Sequence, residues 1–130
     1  QSQVRAEFYS ESLCPDCKEY CTNQVANAVK NVGSIMNLTL WPYGNAKEAM
    51  GPDKQWVFTC QHGPAECLGN MIEACAIKYH NATSDWFPFV NCIEASSQDP
   101  GEAAPGCASK SGLTMPLRLQ HASKALRATL

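Results

Sequence analysis

Cys14-Pro15-Asp16-Cys17 is the most chemically pointed arrangement in this chain. A thiol at the first turn of a helix faces unpaired backbone N–H groups and the positive end of the helix dipole. Both favour the thiolate and make it a nucleophile. A second cysteine one turn further in can attack the resulting mixed disulfide and release the product. Asp16 works against this, because an adjacent carboxylate disfavours a thiolate. A C-x-x-C alone is a weak signal. In a secreted chain the same pair can form an inert bridge, and with two more ligands it can bind zinc, though no second C-x-x-C or H-x3–5-H completes such a set.

Six further cysteines, Cys21, Cys60, Cys67, Cys75, Cys92 and Cys107, are disulfide candidates. Cys67 and Cys75 lie eight residues apart on one predicted helix, which separates their Cα atoms by ~12 Å. A bridge tolerates at most ~7 Å, so each must find another partner. Cys21 shares the inward face of its helix with Cys17 and reads as a buried small hydrophobe or a half-cystine. His62, beside Cys60, either raises thiolate character there or hydrogen-bonds a turn. Arg118, Lys124 and Arg127 could touch an anionic surface, but such charges are more often a solvated face.

These side chains need elements to hold them. Val4 to Tyr9 alternates as a strand, and Pro15 opens a helix in which Cys17, Cys21, Val25, Ala28, Val29 and Val32 recur at helical spacing until Gly33. Leu38 to Trp41 reads as a second strand. Strand, helix, strand over some forty residues is a βαβ unit with parallel strands. Beyond it, Trp56 to Cys60 reads as extended, Pro64 opens a helix carrying Cys67, Met71 and Cys75, and a third helix starts at Ser84-Asp85 and tolerates Pro88. Residues 96–106 read as a loop and 114–130 as a last helix. The chain divides into a βαβ unit over 1–55, a cysteine-rich helical insert over 56–110, and that final helix.

Composition narrows the class. At 130 residues with 45% hydrophobic and 17% charged side chains, the chain makes one domain with a core. A net charge of −2 argues against a nucleic-acid partner recruited by a global positive field. No apolar run approaches the ~20 residues of a membrane span. Eight cysteines and the sequons at Asn37 and Asn81 point to an oxidising secretory route and a secreted or lumenal protein whose signal peptide is gone.

The segment from Cys60 to Cys75, Cys-Gln-His-Gly-Pro-Ala-Glu-Cys-Leu-Gly-Asn-Met-Ile-Glu-Ala-Cys, matches the pattern C-Q-H-G-x2-E-C-x2-N-x4-C. It resembles the hallmark of the gamma-interferon-inducible lysosomal thiol reductase (GILT) family, and the likeness extends to Phe8–Cys14, to Asn37–Ala46 and to the region of Cys107. The resemblance implies an α/β, thioredoxin-like fold with a disulfide-stapled helical insert. It also implies reduction of protein disulfides, often at acidic pH, with Cys14 attacking and Cys17 resolving. It implies a structural signature segment and neither a metal nor an organic cofactor. The family's later segment, with the cis-proline that holds substrate, has no counterpart here. The expectation is therefore a truncated fold with weak or lost reductase activity, acting through an extracellular protein partner and self-associating as a homodimer along the open edge of the first strand. The alternative is an active reductase of protein disulfides using Cys14 and Cys17.

Overall fold

The computed structural model describes residues 2–114. The expected last helix, with Arg118, Lys124 and Arg127, lies outside the described residues. Strand β1 (Val4–Ser10) pairs in parallel with β2 (Met36–Pro42), as the βαβ pattern requires. The register sets Ala6 beside Leu38 and Phe8 beside Leu40, so one face of the pair is apolar and turns inward. The other face stacks Tyr9 on Trp41 at 6.5 Å and stays exposed.

The crossover between these strands is one helical run in several pieces. Helix α1 (Pro15–Tyr20) passes into a π-helical turn (Cys21–Val25), then α2 (Ala26–Val32) and a 3-10 turn (Gly33–Ile35). The widened turn coincides with Thr22, whose hydroxyl donates back to the Lys18 carbonyl at 2.8 Å, a bond that competes with the helix ladder. Gly33 does not adopt the left-handed stop expected of it; its φ of −55° carries the chain on into the 3-10 turn.

After β2 the chain makes a hairpin, β3 (Lys47–Met50) antiparallel to β4 (Trp56–Thr59). The extended reading of Trp56 to Cys60 holds, while its partner β3 went unread because Lys47, Glu48 and Ala49 carry little strand signal. Three helices follow: α3 (Pro64–Tyr79), α4 (Thr83–Ala95) and α5 (Pro100–Ser111). Helix α5 corrects the loop expected over 96–106. Its glycines and prolines suggest a turn-rich segment, yet Pro100, Ala103, Ala104 and Cys107 fall on one buried stripe at helical spacing. Pro100 takes the first helical position, where its missing N–H costs nothing.

The core joins Leu38 and Leu40 of the sheet to Cys21 and Val25, to Ile72 and Ala76 of α3, and to Phe89, Val90 and Ile93 of α4. Two bridges staple the helical part: Cys60–Cys67 ties the end of β4 to α3, and Cys92–Cys107 ties α4 to α5. They close 7 and 15 residues, so chain entropy assigns them about 2.4 and about 3 kcal/mol. Of the six disulfide candidates, Cys21 and Cys75 carry free thiols instead.

Among these apolar groups lie two carboxyls, Glu73 of α3 and Glu94 of α4, both buried. Burial pushes Glu73 well above the usual carboxylate range, and the facing charge of Glu94 adds to the rise. Burial likewise raises Glu94, opposed by the neighbouring Glu73 carboxyl and by the Lys18 ammonium. Two like charges this close in low dielectric do not both ionise, so the pair retains protons that an unfolded chain would release. A raised folded-state pKa contributes stability that is complete below the unfolded carboxylate range and is lost as pH rises through the folded value. The slope is up to about 1.4 kcal/mol per pH unit for each extra proton held. The melting temperature is therefore expected to fall from pH 4.5 toward pH 8, and Glu73→Gln to flatten that fall; thermal melts across the range check both.

Candidate active site

Cys14 occupies the residue before the first turn of α1, with Pro15 at the first helical position. The Lys18 N–H donates to the Cys14 carbonyl at 3.0 Å, so the cysteine opens the helix backbone. Cys17 follows one turn later, and both are partly buried free thiols. Partial burial is the largest influence on Cys17 and pushes it up to about 11, with the neighbouring Cys14 sulfur and the Glu11 charge adding to it. A backbone hydrogen bond from Glu11 opposes them. Cys17 thus stays protonated at neutral pH, one turn from the Cys14 sulfur.

The segment just ahead of the pair is unusual in its burial. Ser10, Glu11 and Ser12 are three consecutive polar residues at 2%, 3% and 0% exposure. Buried polar groups need partners, and apart from the Ser10 hydroxyl and Glu11 Oε2, which make no hydrogen bond, these take them from two places. From α3, Asn70 Oδ1 accepts the Ser12 N–H at 2.9 Å and the Glu66 carbonyl accepts the Ser12 hydroxyl at 3.1 Å. From the turn after β2, the Tyr43 N–H donates to the Ser10 carbonyl at 3.0 Å and the Asn45 N–H donates to Glu11 Oε1 at 2.5 Å. The Glu11 carbonyl in turn accepts the Cys14 N–H at 3.1 Å.

Two glycines make this approach possible. A Cβ at position 69 would overlap the Ser12 hydroxyl and the Pro100 ring, so α3 can lie against the loop only through a bare backbone. At Gly44 a φ of +56° combines with an overlap on the Glu11 side chain.

His62 does not activate Cys60, which is bridged to Cys67. Instead its Nδ1–H lies 2.5 Å from Glu66 Oε2 and 3.3 Å from Glu11 Oε2, and its backbone N–H donates to Glu66 Oε1 at 3.1 Å. The donor atoms of Glu11, His62 and Glu66 lie within 4.8 Å of one another, a set that could hold a metal ion but is already joined by these direct contacts. Cys21 and Cys75 lie apart from this chemistry. Burial drives the Cys21 thiol far above its ordinary range, with Glu94 and Glu73 adding to it, and burial raises Cys75 against the opposing charge of Lys78.

Sequence reasoning picked out Cys14, Cys17 and His62 but not Glu11, Ser12, Glu66, Gly69 and Asn70 as the frame around them. The available signal was three polar residues between an apolar strand and a helix, opposite a helix with a glycine and an asparagine in mid-course.

The family model for gamma interferon inducible lysosomal thiol reductase (GILT) matches residues 5–111. The chain belongs to that family. It is 41% identical over 106 residues to a gamma-interferon-inducible lysosomal thiol reductase of Carassius auratus, covering 82% of this chain and 41% of that protein. GILT-like protein 1 of Drosophila melanogaster is 36% identical over 122 residues, covering 84% of the chain and 48% of that protein. A Mus musculus thiol reductase of the same name is 46% identical over 74 residues, 57% of the chain and 29% of its own length. The chain thus spans less than half the length of these relatives.

The close contact at Gly69 carries a prediction. Gly69→Ala should destabilise the protein by about 1–3 kcal/mol, the usual result of forcing a methyl into a packed contact. Gly106→Ala, in the same helical layer but with nothing within 4 Å of its added Cβ, should be neutral or stabilising by up to about 1 kcal/mol. Denaturant unfolding of the two variants beside the wild type measures the contrast.

Proposed function

We propose that this GILT-family chain exchanges thiols with protein disulfides through Cys14 and Cys17. The observation that carries the reading is the free pair itself, with Cys14 opening a helix and Cys17 held protonated beside it, on a loop braced by buried hydrogen bonds. The Cys14 thiolate attacks one sulfur of a substrate cystine, breaking its S–S bond and releasing a substrate thiolate, which takes up a proton. Cys17 then loses its proton and attacks the Cys14 sulfur of the mixed disulfide. That releases the second substrate thiol and leaves a Cys14–Cys17 bridge. The substrate gains two electrons, and a low-molecular-weight thiol must return them to the protein before the next turnover.

The parallel β1 and β2 pair with its helical crossover supports a thioredoxin-like arrangement. A groove of about 260 Å3 among Tyr43, Ala46, Phe58, Met71 and Ala74 runs past Asn70, which grips the loop two residues from Cys14; it suits an apolar stretch of substrate chain. No described helix is long and apolar enough to cross a membrane. A secreted or lysosomal-lumen setting belongs to the same proposal, as does a homodimer along β1, whose one strand neighbour among the described residues is β2.

Insulin reduction at pH 4.5 and pH 7 tests the reading. Wild-type protein is expected to exceed Cys14→Ser by at least a hundredfold, because the nucleophile is removed outright. Equal turnover of the two would replace the enzyme by the rival reading, an interaction protein whose cysteines hold shape. Asn37 and Asn81 are both exposed, one on β2 and one between α3 and α4. Peptide mapping of protein made in a glycosylating eukaryotic host is expected to find glycan on at least one of them.

A further inference from the structure

Glu11 and Glu66 come from elements 55 positions apart in sequence, yet their carboxylates converge on one imidazole. Glu66 is 0% exposed and Glu11 3%. Ionised carboxylates so placed repel each other and need compensation that water cannot reach to give. Each is anchored on one oxygen by a backbone N–H, Glu11 by Asn45 and Glu66 by His62. Their other oxygens both face His62 Nδ1, at 3.3 and 2.5 Å. The nearby polar side chains, Asn45 and Gln61, are neutral and bond to each other at 3.1 Å. Among the described residues the imidazole is the only basic group in ion-pair contact with either carboxylate.

What makes this cluster matter is the other end of Glu11. Its carbonyl accepts the Cys14 N–H at 3.1 Å, and its negative charge raises the pKa of the Cys17 thiol one helical turn on. One residue therefore joins the start of the redox pair through its main chain to the signature segment through its side chain. We propose that His62 and Glu11 are positioning residues for the Cys14–Cys17 pair: His62 ties the Glu11 carboxylate to Glu66, and through the Glu11 backbone this tie fixes the geometry in which Cys17 resolves the mixed disulfide. The proposal rests on the exchange chemistry assigned above and deepens it.

Glu11 Oε2 makes no hydrogen bond, so without the His62 ion-pair contact it is left buried with no counter-charge, and the cheapest relief is for the loop to move toward water. That movement pulls the Glu11 carbonyl from the Cys14 N–H and shifts Cys14 against Cys17, and the uncompensated Glu11 charge further disfavours the Cys17 thiolate. The second step, in which Cys17 loses its proton and displaces the substrate sulfur from Cys14, is therefore the one that slows. The first step depends on Cys14 and is affected less.

Stopped-flow reaction of the reduced protein with 4,4′-dithiodipyridine separates the steps, because each releases one thiopyridone. In His62→Leu the second release should slow about tenfold while the first stays within about twofold, tenfold being what one unit of thiol acidity is worth. His62→Asn, whose side-chain amide can stand in for the Nδ1–H donor, should recover most of the second rate. Glu11→Gln keeps an acceptor for the Asn45 N–H but weakens the tie to His62 without burying an unpaired charge, so its second release should slow by clearly less than the slowing expected of His62→Leu. That arm keeps the test open should His62→Leu not fold. A folded His62→Leu with both rates unchanged, or with both lowered by one factor that tracks its melting temperature, overturns the proposal. So does a Glu11→Gln protein that slows as much as His62→Leu. A wild type that completes both releases yet turns over no protein disulfide overturns the reductase reading instead, and the ratio of the two rates still decides the role of His62.

Discussion

Three consecutive polar residues, Ser10, Glu11 and Ser12, lose contact with water on folding, and most of the architecture follows from having to satisfy them. A buried N–H, hydroxyl or carboxylate without a partner costs about 1–3 kcal/mol or more, several times what one such bond adds when made. Two elements meet that demand. The turn after β2 brings the backbone N–H groups of Tyr43 and Asn45, and α3 brings Asn70 and the Glu66 carbonyl. Both have to come close, which is why Gly44 and Gly69 stand where any side chain would collide. The loop that ends at Cys14 is consequently held on two sides before the chemistry begins.

The helical layer that supplies α3 is secured by different physics. Phe89, Val90, Ile93 and Ile72 are essentially inaccessible and fill the space behind the sheet. The two bridges act mainly on the unfolded chain, and each fixes a junction that the apolar core leaves less constrained. Cys60–Cys67 secures the entry to α3 next to His62 and Glu66, and Cys92–Cys107 secures α5, whose Pro100 backs Gly69. Glu73 and Glu94 sit in the same layer and weigh against it as pH rises. The layer is thus suited to acid, where the carboxyls can stay neutral, independently of any property of the thiols.

Local pattern made the βαβ unit legible, because the alternation from Val4 and the three- and four-residue recurrence from Cys17 each have one structural solution. Helix α5 was not legible for a reason equally local. Its buried stripe is built of Pro100, Ala103, Ala104 and Cys107, side chains too small to register as an apolar face among glycines and prolines. Strand β3 fails similarly, since Lys47 and Glu48 belong to a strand only by pairing with Thr59 and Phe58. For the site, C-x-x-C announces itself by spacing. The frame around it depends on Glu11 and Ser12 meeting Glu66 and Asn70 across more than fifty residues, and no window along the chain contains both sides. The signature was recognisable as a pattern; the pattern does not say that its Glu and Asn point at the loop of another segment.

Seven of the eight cysteine side chains meet three fates here, and position alone decides among them; the eighth, Cys75, is a partly buried free thiol on α3. Cys60, Cys67, Cys92 and Cys107 lie with Cα atoms 5.6 Å apart in pairs and are bridged. Cys21, a single turn beyond Cys17, is sealed in the core beside two carboxyls, and burial there strongly disfavours its thiolate. A thiol that cannot ionise is neither nucleophile nor ready partner for exchange, so its nearness to Cys17 in sequence does not make it a competitor for the mixed disulfide. Cys14 and Cys17 differ from Cys21 in lying at the start of the helix, partly exposed, on a loop whose backbone is hydrogen-bonded to the turn after β2 and to α3. That engagement keeps the pair from collapsing inward as Cys21 does. A buried polar loop costs stability, and what it returns is two adjacent sulfurs kept near the surface in fixed relation, the arrangement that the proposed exchange requires.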